Sequence, residues 1–357
     1  MQELGVAVIG LHHLHSTGWI QNVHDVPATR LVAIAERDAA LLETVGRPHA
    51  AVHLDAEWRA TVERSEVDLV IILLPHDEMP RAAVAAAEMG KHLIIEKPGA
   101  VHAPAFDVVL EAVERTGVRA TAPYLWRYDP VVLQASTMIA EGSLGRPLYG
   151  TGRFNAGGPE RYMELSPWML KQGRSGGGPL LNLGVHLIDV LWLLFESEPT
   201  HVYCQLSRAA HELEIEDHAR VLLEFAAGQQ GLVETSYVLP PSYPPTGYDS
   251  ALTIKGTEGY ISWEQRDNIM VFCAADGTCE QAPLERTAGG WTDASGYGGE
   301  NGLEFLADFA DAIHKGGRPR IGLQDAARLL RVVDAAHASA ESGRLEVVAG
   351  GARAGSR

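Results

Sequence analysis

Hydrophobic and polar positions follow two different rhythms along this 357-residue chain. In the first third, short apolar runs alternate with stretches of helical spacing. Gly5–Gly10 (GVAVIG), Leu31–Ala35, Val67–Leu74 (VDLVIILL) and His92–Ile95 read as strands. Gly18–Val26, Ala39–Val45, Pro80–Met89 and Ala105–Thr116 read as helices, the third opened by Pro80 and closed by Gly90. An unbroken run such as Val67–Leu74 suits a strand covered on both faces, and strand–helix alternation predicts a doubly wound parallel sheet.

Near residue 120 the rhythm changes. Gly150–Phe154, His201–Leu206, Ala219–Phe225, Gly231–Val238, Ala251–Lys255, Tyr260–Glu264 and Asn268–Phe272 read as strands separated by turn residues, which predicts a large, mostly antiparallel open sheet. Leu180–Phe195, Leu303–His314 and Leu323–Ser342 read as helices. The expected organisation is an α/β chain with a nucleotide-binding type of domain over 1–122 and a second α/β domain over 123–348. A small polar tail covers 349–357. Pro240–Tyr248 and Thr287–Asn301, rich in Pro, Gly, Ser and Tyr, read as loops, with ordinary connections favoured over covers of an active site.

Composition narrows the function. Apolar residues make up 46%, ordinary for a folded protein, and the formal net charge is −17. Such a surface repels nucleic acids and anionic membranes. The N-terminus lacks an export pattern, and the apolar runs, Leu183–Phe195 included, are shorter than the roughly 20 residues a membrane span needs. A soluble, cytoplasmic protein is the expectation. Cys204, Cys273 and Cys279 are too few for a disulfide framework and read as reduced, mostly buried thiols.

A glycine after the first strand is where a dinucleotide-binding fold meets its pyrophosphate. Here the G-x-G-x-x-G fingerprint keeps Gly10 but places His12 and His15 at the other two glycines. Either His12, His13 or His15 donates to phosphate, or nucleotide binding is lost. Three histidines also raise the question of a metal, but no acidic or Cys partner lies nearby in sequence, so none is expected. Glu36 ends the second strand and suits the ribose hydroxyls of NAD, while Arg37 could face the 2′-phosphate of NADP. NAD is the expected cofactor. Glu96-Lys97-Pro98 ends the strand His92–Ile95, on the sheet edge where ligands gather.

Gly90–Pro98 (GKHLIIEKP) is close to the G-K-H-V-x-x-E-K-P signature of the glucose–fructose oxidoreductase / inositol dehydrogenase (Gfo/Idh/MocA) family, and Gly176–Asp189 resembles its second signature, G-G-G-x-L-x-D-x-G-x-H-x-x-D. Arg127 and Pro130 resemble its R-x-x-P turn, and Glu216-Asp217 and Gly256–Gly259 match shorter pieces. The chain resembles that family over nearly its whole length.

The resemblance implies an NAD(P)-dependent oxidoreductase acting on a secondary hydroxyl of a sugar, cyclitol or glycoside. Lys97 would contact the reacting hydroxyl, and His186 would take its proton. Asn182 stands where the family has Asp and would position substrate, while Asp189 would orient His186. Asn182, His186 and Asp189, spaced i, i+4 and i+7, share one helix face. The cofactor would lie against Gly10, Leu11, His12, His13, Glu36, Arg37, Leu74, Pro75, His76, Glu96 and Lys97. Substrate would meet Lys97, Tyr124, Arg127, Trp168, Asn182 and His186. A homodimer or homotetramer would form through the second sheet. A non-catalytic sugar- or nucleotide-sensing protein on the same fold is the alternative, and an enzyme recycling tightly held NAD is a third reading.

Overall fold

The computed structural model describes residues 3–49, 51–240, 248–284 and 296–350. Most of the loop expected over 240–248, much of that over 287–301, and the end of the tail lie outside them.

The first domain runs β1 (Leu4–Ile9), α1 (Ser16–Asp25), β2 (Thr29–Ala35), α2 (Ala39–Gly46), β3 (His53–Asp55), α3 (Trp58–Val62), β4 (Leu69–Ile72), α4 (Met79–Glu88), β5 (His92–Ile95), α5 (Ala103–Thr116) and β6 (Ala120–Thr121). Its six strands pair in the order β3-β2-β1-β4-β5-β6 with every pairing parallel. This is the doubly wound order whose reversal point lies between β1 and β4. Those two strands are wholly buried, as their unbroken apolar runs require. Asp38 caps α2 through the Ala40 and Leu41 N–H groups, fixing the helix start directly after the β2 loop.

The second domain begins with a tight turn at Leu125–Tyr128. There follow α6 (Pro130–Ala140), β7 (Pro147–Gly157), α7 (Glu160–Met163), α8 (Gln172–Ser175), α9 (Val185–Phe195), β8 (Pro199–Ser207), β9 (His218–Phe225), β10 (Gln230–Leu239), β11 (Tyr248–Gly256), β12 (Gly259–Glu264), β13 (Ile269–Ala274) and β14 (Cys279–Pro283). α10 (Gly299–His314), α11 (Leu323–Ser342) and β15 (Glu346–Val347) close the chain. The nine-stranded sheet is ordered β14-β13-β12-β11-β7-β10-β9-β8-β15, and its one parallel pair is β7 with β10. Alternating burial along β9 shows one face packed and one open.

The helix expected over Leu180–Phe195 has two parts. A wide π turn covers Leu180–Gly184 and passes into α9. With α8 the helical stretch Gln172–Phe195 spans 24 residues, longer than the sequence suggested, and by length and apolarity alone it would cross a membrane. Its apolar window is 89% buried inside the fold, which makes it a core helix. Glu216 anchors its start: the carboxylate accepts from the Gly178 N–H at 2.9 Å and the Leu180 N–H at 3.1 Å, neutralising donors a helix N-terminus leaves unpaired. Gly178 permits this approach, because a Cβ there would stand 2.1 Å from the Glu216 carbonyl oxygen.

The cysteine expectation needs correction. Cys204 is a buried free thiol, but Cys273 and Cys279 form a disulfide. The β13–β14 hairpin pairs the two residues directly across the ladder, with Cα atoms 4.1 Å apart. Spacing alone does not reveal that register, because β14 is exposed along its length and has no apolar pattern.

Candidate active site

Two adjoining cavities occupy the carboxyl edge of the first sheet. The first measures about 410 Å³ and is lined by Gly10, His12, Glu36, Arg37, Leu74, Pro75 and Trp168, among others. Gly10 has φ +91°, and a Cβ on it would lie 2.7 Å from the Leu73 carbonyl oxygen. Only glycine lets β1 turn here against the end of β4. The Glu36 carboxylate accepts from the Leu11 N–H at 2.6 Å and the Asp38 N–H at 3.0 Å, so it is fixed at the end of β2. Arg37 lies between Glu78 at 3.4 Å and Glu57 at 3.8 Å.

His12 does not fill the cavity. Its ring turns across the rim, with Nδ1 3.1 Å from the Leu165 carbonyl oxygen and Nε2 3.5 Å from Asp38. Its own carbonyl accepts from Trp168 Nε1 at 2.6 Å. The glycine cradle at Gly10 and the carboxylate at the β2 end fit a dinucleotide, with Gly10 and Leu11 on the phosphate side and Glu36 toward a ribose.

The second, tighter pocket lies between the domains. Its lining includes His13, His15, Lys97, Arg161, Asn182, His186 and Tyr297. Lys97 follows β5, and its peptide bond to Pro98 is cis. Its Nζ donates to the Asn182 carbonyl oxygen at 2.7 Å and to Asn182 Oδ1 at 2.6 Å. Asn182 sits in the π turn, and its Nδ2 donates to Tyr237 Oη at 2.7 Å and Tyr162 Oη at 3.0 Å. Burial pushes the Lys97 ammonium down to about 8, against the pull of Glu96.

His186, on the first turn of α9, has the rings of Tyr124 and Phe154 at 5.9 and 6.3 Å between centroids. Burial holds its imidazole well below the ordinary histidine value, so it is neutral at pH 7. Glu96 is completely buried. It accepts from Trp19 Nε1 at 3.0 Å, and His15 Nδ1 stands 3.4 Å away. Burial pushes its carboxyl up, but His15, His13 and Lys97 outweigh that and hold it well below the usual carboxylate range.

The histidine loop therefore has the acidic neighbour that its sequence lacks. Ring nitrogens of His13 and His15 and a carboxylate oxygen of Glu96 lie within 4.8 Å of one another. That carboxylate also accepts the Lys97 backbone N–H at 3.2 Å, and the Lys97 ammonium shares the pocket. Burial lowers both rings, so the arrangement is two neutral imidazoles around an anion that already has donors.

Several expected contacts fall elsewhere. His13 lines the second pocket rather than the first. The Leu11 side chain is core, and its backbone N–H alone faces the site. Glu96 lies behind the pocket wall, so it holds His15 and Trp19 rather than the cofactor cavity. His76 is buried edge-on against Trp168, with Nδ1 2.6 Å from the Ser175 carbonyl oxygen, and burial lowers it to about 4. Trp168 lines the first cavity rather than the second. Tyr124 is fully buried behind His186.

Arg127 is a structural clamp. It pairs with Asp189 at 2.5 Å and with Asp325 at 3.1 Å, tying the domain's first turn to α9 and α11. Asp189 is thereby taken up by Arg127 rather than by His186. Sequence reasoning missed Arg161, Tyr162 and Tyr237, and touched Tyr248 and Tyr297 only as members of two loops that could cover a site. The adjacent Arg161 and Tyr162 lie far in the chain from the three other tyrosines, and no local pattern marks any of them.

Comparison with known proteins agrees with this layout. Residues 4–124 match the family described as "Oxidoreductase family, NAD-binding Rossmann fold", and residues 132–262 match "GFO/IDH/MocA C-terminal domain". A levoglucosan dehydrogenase of Pseudarthrobacter phenanthrenivorans is 26% identical, over 94% of this chain and 95% of that protein. A scyllo-inositol 2-dehydrogenase (NAD(+)) of Bacillus subtilis is 27% identical over 72% of this chain and 71% of its own length. A solved levoglucosan dehydrogenase, in complex with NADH and levoglucosan, superposes with a TM-score of 0.85 at 22% identity, covering 98% of this chain and all of that one.

Proposed function

Since the chain belongs to the Gfo/Idh/MocA family of NAD(P)-dependent oxidoreductases, we propose that it interconverts a secondary alcohol and a ketone on a sugar, cyclitol or glycoside. The observation that carries this reading is the pairing of a Lys97 ammonium with a neutral His186 in one pocket beside the cofactor cavity. Bound NAD(P)+ supplies the hydride acceptor.

In the oxidative direction the substrate hydroxyl lies between Lys97 and His186. His186, kept neutral by burial, accepts the hydroxyl proton. The Lys97 ammonium donates to the same oxygen and stabilises the negative charge that develops as the C–H bond gives up its hydride. Asn182 is a positioning residue: it aims the ammonium, and its own amide is spent on two tyrosine hydroxyls. Glu36, facing the cavity with Asp38, supports NAD over NADP, because a 2′-phosphate would meet carboxylates there. A non-catalytic sensor has no use for a buried, pKa-lowered lysine beside a neutral histidine. Exposed Tyr149, Leu222, Leu232 and Tyr260 on the second sheet support assembly into a homo-oligomer.

The test is a calorimetric titration with NAD, NADH, NADP and NADPH, followed by a panel of sugars and cyclitols monitored at the nicotinamide absorbance. Binding of one nicotinamide pair and turnover of at least one polyol are expected. No binding of any of the four nucleotides overturns the assignment.

A further inference from the structure

Arg161, on the short helix α7, lines the second pocket without a carboxylate partner among the described residues. Its hydrogen bond goes to Tyr248 Oη at 2.5 Å. Its Cζ lies 4.9 Å from the Tyr248 ring centroid and 5.4 Å from that of Tyr162. Burial pushes the Tyr162 hydroxyl above its ordinary value, so that ring brings no charge. The adjacent Glu160 folds the other way, over Gly158. Three other partly or fully buried arginines have acids: Arg64 has Asp55 at 2.8 Å, Arg127 has Asp189 at 2.5 Å and Arg153 has Asp249 at 2.8 Å. Half-buried Arg119 instead spends its guanidinium on the Gly117, Gly316 and Gly317 carbonyl oxygens, whereas Arg161 has neither an acid nor a carbonyl among the described residues.

The charge balance of the pocket follows from these contacts. Lys97 and Arg161 are its cations. His13, His15 and His186 are neutral because burial lowers all three. Glu96, the neighbouring carboxylate, is sealed behind Trp19 and His15 with no exposure. Among the described residues, one positive charge is left facing the cavity, on a guanidinium whose five donors meet a single hydroxyl acceptor. A partly desolvated guanidinium without a counter-charge is costly, and its planar fork matches a carboxylate in geometry.

We infer that the substrate is a sugar acid, an aldonate or uronate, whose carboxylate docks on Arg161 while its reacting hydroxyl lies at Lys97 and His186. A single uncompensated charge suits a monoanionic carboxylate better than a dianionic phosphate ester. The inference rests on the oxidoreductase reading above and narrows its substrate class.

The test measures binding of D-glucuronate, D-gluconate, D-glucose and D-glucose 6-phosphate to the NADH-loaded protein by calorimetry, with the protein alone as a second arm. The wild type is expected to bind the better sugar acid at least about 100-fold more tightly than glucose, the range set by losing one charge-assisted pair. R161Q is expected to reduce that ratio to near unity, and R161K, which keeps the charge but loses the fork, to an intermediate value. Circular dichroism of each variant checks that the fold survives. Equal affinities, no binding of any of the four compounds, a preference that persists in R161Q, or tighter binding of glucose 6-phosphate would each overturn the inference. The NADH titration reads separately on the oxidoreductase assignment, so the two failures are distinguishable.

Discussion

The Lys97 ammonium gives two hydrogen bonds to one residue, Asn182: one to the backbone carbonyl at 2.7 Å and one to the side-chain oxygen at 2.6 Å. The π turn makes this double contact available, because it places the carbonyl and the side chain of residue 182 on the same side of the helix start. A neutral partner holds the ammonium in place without adding charge. Burial is then free to lower it to about 8.

A pH dependence follows from that lowered value. The proposed chemistry needs neutral His186 and charged Lys97. His186 is already neutral at pH 7, so the basic limb belongs to Lys97, and kcat/KM for oxidation is expected to fall as pH rises through about 8. In N182D the new carboxylate favours the ammonium, and the limb is expected to move up by about 1–2 pH units. Tyr162 and Tyr237 can rotate their hydroxyls to donate to it, so the substitution is compatible with the fold. A pH–rate series on both proteins measures this. An unmoved basic limb would count against Lys97 as the titrating group.

Cofactor choice is carried by Glu36. Its carboxylate already accepts two backbone N–H groups, so it cannot swing aside for a 2′-phosphate. NAD is expected to bind at least about 10-fold more tightly than NADP, and E36Q, which removes the charge and keeps an acceptor for one of the two N–H groups, is expected to narrow the gap through NADP. Calorimetry with both nucleotides on both proteins reads this. An equal preference before and after the change would place the discrimination elsewhere.

The Arg127–Asp189 pair separates stability from chemistry. Both side chains are buried, and Asp189 has no exposure. D189N leaves Arg127 only the more exposed Asp325 at 3.1 Å, so it is expected to cost about 1.5–3 kcal/mol in urea unfolding, the range of a lost charged hydrogen-bonded pair. Because Asp189 belongs to Arg127 rather than to His186, the kcat of folded D189N is expected to stay within about threefold of wild type, a shift of under 1 kcal/mol. A large fall in kcat with stability intact would restore Asp189 as the group that orients His186.

Much of the fold was legible because its strands are chemically distinctive. β1 and β4 are continuous apolar runs, and β9 alternates in step with its one covered face. β3 and β14 were missed for the converse reason: both are largely exposed and carry no pattern. Lys97, Asn182 and His186 were legible through motif resemblance. Their pairing was not, because a π turn changes which atoms of a helix start face outward. The helical spacing of His186 and Asp189 gave the correct shared helix with the wrong partner, since Arg127 reaches Asp189 from a distant turn. Arg161 was invisible in sequence, because an arginine is informative only once the surroundings show which acids are absent.

The hairpin disulfide provides the last prediction. Cys273 and Cys279 are six apart in sequence, so the loop they close is short. Chain entropy then limits the stabilisation to about 2 kcal/mol. β14 pairs with β13 alone at the sheet's edge, is exposed throughout, and contributes no residue to the lining of either cavity. Reduction is therefore expected to lower the thermal midpoint modestly and to leave kcat and KM unchanged. Thiol titration of the denatured, unreduced protein should find one free thiol, Cys204, rising to three after reduction. Three thiols without reductant would show that the two cysteines face each other across the ladder without bonding. Lost activity on reduction would mean that the sheet edge is coupled to the pocket through contacts beyond those seen here.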